Sequence, residues 1–132
     1  MLQIAIIDKH PILLKGLDFI IKANFNEVSI MASESVNAFL KSPPAHTPDL
    51  IILGFSENSD SSSSMGSVIL TKERYPKAAV IVYDDKSDSP MINLYLKAGV
   101  KGYLSKQHDV TKLVECIEMV MDGKRYISTK VL

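Results

Sequence analysis

Short aliphatic runs alternate with longer segments whose apolar positions recur every three or four residues, and this alternation fills the chain. Leu2–Ile7 is almost wholly aliphatic, as a strand covered on both faces must be. Pro11 suits the first turn of a helix, where its missing N–H forfeits no hydrogen bond. That helix is predicted to carry Ile12, Leu13, Leu17, Ile20 and Ile21 inward. Val28–Met31 predicts a second strand. Ser33 or Ser35 can cap a brief helix with Val36, Phe39 and Leu40 on its inner side. Pro43, Pro44 and Pro48 force a loop before a third strand at Leu50–Leu53.

The stretch from Ser56 to Ser64 offers nothing apolar to bury, which predicts a mobile loop. A helix resumes near Ser64, with Met65, Val68, Ile69 and Tyr75 inward, and Pro76 stops it. Ala78–Tyr83 predicts a fourth strand. Ser87-Asp88-Ser89-Pro90 reads as a helix start, followed by Met91, Leu94, Tyr95 and Ala98 as inner positions and by Gly99 as the end. Val100–Leu104 predicts a fifth strand. Asp109 can cap a last helix with Val110, Leu113, Val114, Ile117 and Met121 at helical spacing, ended by Gly123. Strict alternation of strand and helix predicts a doubly wound α/β domain, with helices on both faces of a five-stranded parallel sheet. Residues 1–123 read as one domain and residues 124–132 as the start of a linker.

Composition changes this picture mainly by exclusion. Lysine plus arginine and aspartate plus glutamate number 15 each, so no net field draws the chain to nucleic acid or membrane. The lone cysteine, Cys116, excludes an internal disulfide and a multi-cysteine zinc site, and its helical position makes it a packed thiol. Met1-Leu2-Gln3-Ile4 lacks a targeting pattern, and no apolar run approaches the ~18 residues of a membrane span. A cytoplasmic location is the expectation.

Chemistry, if present, belongs at the carboxyl ends of the strands, which line the crevice of an open parallel sheet. Four runs break off there at Asp8, Gly54, Asp84 and Lys106. Two acids and a lysine make a charged pocket, and the glycine leaves a hole within it. Two readings of the charges stand side by side. Lys9 and Lys106 could pair with Asp8 and Asp84, or Lys9 could snorkel to solvent while Asp84 caps its own loop. Asp60 reads as a solvated loop residue. His10 reads as capping or packing, and His10, His46 and His108 are too scattered for metal-ligand spacing.

Several segments taken in order resemble one family: Ile4-Ala5-Ile6-Ile7-Asp8-Lys9-His10-Pro11, Pro48-Asp49-Leu50-Ile51-Ile52-Leu53-Gly54, and Lys97-Ala98-Gly99-Val100-Lys101-Gly102-Tyr103-Leu104-Ser105-Lys106. Gly123-Lys124-Arg125-Tyr126-Ile127-Ser128 adds to them. The chain resembles the receiver domain of two-component response regulators, closest to the receivers of LuxR-type (NarL/FixJ-like) transcriptional regulators. The resemblance implies a flavodoxin-like (βα)5 fold with sheet order 2-1-3-4-5. It also implies an aspartate on the third strand that takes a phosphoryl group from a histidine kinase, and two acids that hold Mg2+. A hydroxyl ends the fourth strand in that family, a lysine follows the fifth, and an aromatic before the lysine reports the state to partners.

Matched position by position, the chain keeps Asp8, Lys106 and the aromatic Tyr103. It places Lys9 at the second acid, Asp84 at the hydroxyl and Gly54 at the phosphoacceptor. Glycine cannot form an acyl phosphate. Mg2+ seeks an octahedron of oxygens with one or two carboxylates, so Asp8 alone, beside the Lys9 ammonium, is a weak ligand and no cofactor is expected. The expected function is therefore an atypical receiver (a pseudo-receiver) in signal transduction. It is not an enzyme, works independently of phosphorylation and controls an attached transcriptional effector through protein contacts. A homodimer is expected through the helix 4/strand 5/helix 5 face, with Tyr95, Lys97, Lys101 and Tyr103, or through a neighbouring helix face. Tyr103 could equally be half-buried core. Contact with a histidine kinase stays open, and DNA binding is assigned to a helix-turn-helix domain after Leu132 and not to this chain. The alternatives are a phosphatase-like or ligand-binding enzyme on the same fold, or a receiver phosphorylated at a non-standard residue. A dehalogenase-type phosphatase would want an aspartate where His10 stands, and a flavodoxin a hydroxyl-rich loop where Lys9-His10-Pro11-Ile12 stands.

Overall fold

A computed structural model describes residues 1–57, 60–86 and 90–128. The element order is β1 (Leu2–Ile7), α1 (Pro11–Asn24), β2 (Val28–Ser33), α2 (Val36–Lys41), β3 (Leu50–Phe55), α3 (Ser61–Arg74), β4 (Ala79–Asp84), α4 (Ile92–Lys97), β5 (Gly102–Ser105), α5 (Val110–Met121) and β6 (Tyr126–Ser128). The strands form one parallel sheet in the order β2-β1-β3-β4-β5-β6.

Period-two alternation divides the core into two layers. Ala5, Ile7, Ile51, Leu53, Val80 and Val82 point to one face, under Phe39, Val68 and Tyr95 of α2, α3 and α4. Ile4, Ile6, Leu50, Ile52, Ile81 and Leu104 point to the other, under Leu17 and Ile21 of α1 and Leu113, Cys116 and Ile117 of α5. The aliphatic runs are thus strands buried on both sides, as their composition predicts. Ser35 caps α2 by accepting from the Ala38 N–H at 3.0 Å. Gly99, with φ +105°, takes the left-handed conformation that closes the turn after α4.

Three expectations need correction. The sheet has six strands, not five in the order 2-1-3-4-5, because residues 126–128 do not leave the domain as a linker. They lie along the open edge of β5, with Gly102 opposite Tyr126 and Leu104 opposite Ser128. Second, α3 begins at Ser61 rather than near Ser64, since the Asp60 carboxylate accepts from the Ser63 N–H at 2.7 Å and caps the helix. Third, Ile12, Ile69, Leu94, Val110 and Met121 are exposed, Ile12 at 87%, so none of these predicted inner positions belongs to the core. The predicted helix start at Ser87–Ser89 lies outside the described residues, and α4 is described over Ile92–Lys97.

Candidate functional site

Parallel strands bring the ends of β1, β3, β4 and β5 to one edge, and with them Asp8, Gly54, Asp84 and Lys106. Asp8 follows β1 directly and is 2% exposed. Its Oδ2 accepts from Lys106 Nζ at 2.8 Å, an ion pair spanning 98 positions of sequence. Its Oδ1 accepts from the His10 N–H at 2.9 Å and lies 3.1 Å from His10 Nδ1. Only 10% of the Lys106 side chain is exposed, and its ammonium stands 5.9 Å from the centre of the Tyr83 ring. Both carboxylate oxygens are therefore occupied, and the buried charge is matched by a cation.

Gly54 explains where that carboxylate sits. A Cβ built on Gly54 would overlap Asp8 Oδ2 and fall 2.7 Å from its Cγ. The space that a side chain at position 54 would need is filled by the Asp8 carboxylate reaching across from β1. The hole expected from the sequence is closed, and Lys106 holds the plug in place.

Asp84, also 2% exposed, is satisfied differently. The Tyr103 hydroxyl donates to its Oδ2 at 2.7 Å, and the Lys86 N–H donates to Oδ1 at 3.2 Å. Tyr103 is fully buried and stacks on Tyr95 at 6.3 Å, which in turn lies 6.0 Å from Phe55. Burial, followed by the nearby Asp8 charge, raises the Tyr83 phenol above its ordinary pKa; burial likewise raises Tyr95.

These contacts divide the two readings of the charged pocket. Lys106 pairs with Asp8, as the network reading expects. Lys9 is exposed and makes no ion pair among the described residues, and Asp84 caps its loop, as the second reading expects. The surface expected around Tyr95, Lys97, Lys101 and Tyr103 is corrected too: both tyrosines are buried, and only Lys97 and Lys101 are exposed.

Mg2+ does not fit these residues. Both Asp8 oxygens are engaged, Gly54 brings no donor, and the residue after Asp8 is a lysine. Among the described residues no three His, Cys, Asp or Glu side chains gather to hold a metal, and no helix is long and apolar enough to cross a membrane. Asp60 serves as the cap of α3, and the Ser63 N–H and Ser62 hydroxyl hold its carboxyl below the usual range. His46 is exposed in the loop before β3, while His108 Nε2 lies 3.0 Å from Ser128 Oγ of β6. Burial pushes the Cys116 thiol up to about 12, as befits a packed side chain.

Sequence reasoning missed one feature, a cavity of about 240 Å³ on the far side of Gly54 from Lys106's anchor strand. The turns after β1 and β2 supply Lys9, Glu34 and Ser35, and the first turns of α3 supply Ser63, Ser64 and Ser67. Its only trace in the sequence is the serine run itself, whose role changes once Asp60 is seen to start a helix there.

Comparison with known proteins identifies the family and the fold. A family model described as the response regulator receiver domain matches residues 4–118. The chain is 27% identical to the transcriptional regulatory protein DegU of Brevibacillus brevis, over 98% of this chain and 54% of that protein. It is 26% identical to the oxygen regulatory protein NreC of Staphylococcus epidermidis, over 98% of this chain and 59% of that one. The chain thus spans little more than half the length of these curated relatives. Among solved structures, a LuxR family DNA-binding response regulator from Silicibacter pomeroyi superposes with a TM-score of 0.80 at 22% identity, covering 96% of each chain. The isolated receiver domain of RcsB from Salmonella enterica serovar Typhimurium gives 0.82 at 20% identity, covering 96% of this chain and 92% of that one. At those identities the likeness shows a shared fold.

Proposed function

Because the chain belongs to the response regulator receiver family, we propose that it is an atypical receiver which signals without phosphorylation, through protein contacts. One observation carries this reading: the Asp8 carboxylate, held by Lys106, stands in the space beside Gly54 where an acceptor side chain would have to sit. Phosphoryl transfer to a carboxylate needs a free, positioned nucleophile and a metal or equivalent cation beside it. Here the acid and the lysine neutralise each other, and Gly54 has no nucleophile. The domain is a binding module with no catalytic step assigned to it.

The relatives bear the names of transcriptional regulators and are nearly twice as long as the matched segment, so we place the controlled effector outside residues 1–132. DNA binding belongs to that effector, and the location is cytoplasmic. Self-association is proposed on the α4–β5–α5 face, through Lys97 and Lys101, or on the neighbouring α1 face, where Ile12 and Phe19 are exposed. RcsB, a structural neighbour, has been solved as dimers bound to DNA. Incubation with acetyl phosphate and Mg2+, followed by intact-mass measurement, tests the proposal. Unmodified protein is expected, and a stoichiometric aspartyl phosphate on any residue would overturn it.

A further inference from the structure

The cavity beside Gly54 carries two charges that the ion pair leaves unanswered. Asp8 is already neutralised by Lys106, so Lys9 faces the cavity without an acid of its own. Glu34 lines the same cavity from the turn after β2, a strand that runs beside β1 with Ile7 opposite Ser33. The two side chains are exposed, opposite in sign and carried on adjoining turns, yet neither forms an ion pair among the described residues. From this juxtaposition we propose that the cavity binds a small zwitterion of the neutral α-amino-acid class, with its carboxylate toward Lys9 and its ammonium toward Glu34.

Charge selects that class. A phosphate or other dianion would meet Glu34, and a divalent cation would meet Lys9, so either leaves one like-charge contact in a partly desolvated site. A molecule bearing both charges a few atoms apart answers both. Ser63 and Ser67, on the α3 wall, offer hydroxyls that donate or accept as the ligand requires. Val36, Leu53 and Phe55 give the cavity an apolar floor for a short aliphatic side chain. Its volume of about 240 Å³ suits a ligand of that size rather than a nucleotide.

The proposal rests on the phosphorylation-independent reading, and the two can fail separately: acetyl phosphate tests the earlier reading, whereas amino acids test only this one. The experiment is a titration of the 132-residue protein, followed by 15N–1H NMR, with glycine, L-alanine, L-serine and L-valine. Acetate and ethylamine, each carrying one of the two charges, serve as controls. At least one amino acid should give saturable shifts at Lys9, Glu34, Ser35 and Ser63, and neither control should. Lys9→Ala and Glu34→Ala should each weaken binding about tenfold or more, the scale of a lost charge-assisted contact. Far-UV circular dichroism should show both variants folded, since each side chain is exposed and unpaired. Absence of saturable shifts with all four amino acids would overturn the proposal. Equal shifts with acetate would do so as well, by revealing a simple anion site.

Discussion

Asp8 and Asp84 lie at the same edge of one sheet, each 2% exposed, yet the chain satisfies them by different means. Asp8 receives a full cation, the His10 backbone N–H, the His10 ring nitrogen at 3.1 Å and a seat against Gly54. Asp84 receives a neutral phenol and one backbone N–H, and through Tyr103 it joins the stack of Tyr95 and Phe55. A carboxylate matched by an ammonium has spent its capacity to attract another cation. One matched by neutral donors is satisfied by dipoles alone, with no cation paired to it among the described residues. The first arrangement fills the space beside Gly54; the second ties the wall at Asp84 to the aromatic core.

The largest expected effect comes from breaking the Asp8 arrangement. Lys106→Met leaves a buried carboxylate without its cation and should destabilise the domain by about 3–5 kcal/mol in urea unfolding. Adding Asp8→Asn to that variant should recover a good part of the loss, because the unmatched charge is gone. If Lys106→Met costs nothing, the ion pair does not hold the site together.

The matching change at the other acid is Tyr103→Phe. It removes one hydrogen bond to a charged group and should cost about 1.5–3 kcal/mol, with the aromatic stack kept. A loss as large as that of Lys106→Met would erase the distinction between the two acids. Gly54→Ala probes the seat itself. The new methyl must push the Asp8 carboxylate away, at about 1–3 kcal/mol by thermal unfolding. In the Lys106→Met background the cost should fall, since Asp8 is then free to move.

The smallest effect concerns Asp60, away from both acids. Asp60→Ala removes the cap of α3 and should lower the melting temperature slightly. Its carboxyl is held below the usual range in the folded protein, chiefly by the Ser63 N–H. The cap's contribution is therefore complete above the ordinary carboxylate range and fades as pH falls through the lower folded value. The gap between wild type and Asp60→Ala should shrink in acid and stay constant from neutral pH upward.

What could be read from the sequence follows the same division between local and distant contacts. Strands buried on both faces announce themselves as aliphatic runs, and Gly99 and Gly123 mark helix ends where the structure has positive φ. Serines 61–64 hide the first turn of α3, because a helix with so little to bury there depends on the Asp60 cap rather than on periodicity. β6 is three residues long and is held by the edge of β5, so no run of its own announces it. Asp8 and Lys106 could be placed at strand ends, but which acid takes which lysine depends on side-chain direction. Lys9, one residue beyond Asp8, is exposed and pairs with neither acid. The replacement at Gly54 was legible; that Asp8 fills the vacated space was not, since it needs coordinates from two strands.

NMR titration with Mg2+ and beryllofluoride, which needs a free carboxylate to mimic an acyl phosphate, tests most directly whether Asp8 and Lys106 have filled the acceptor position at Gly54. The expected result is no saturable shift at Asp8, Gly54 or Lys106. A stoichiometric, Mg2+-dependent complex that moves all three would contradict it.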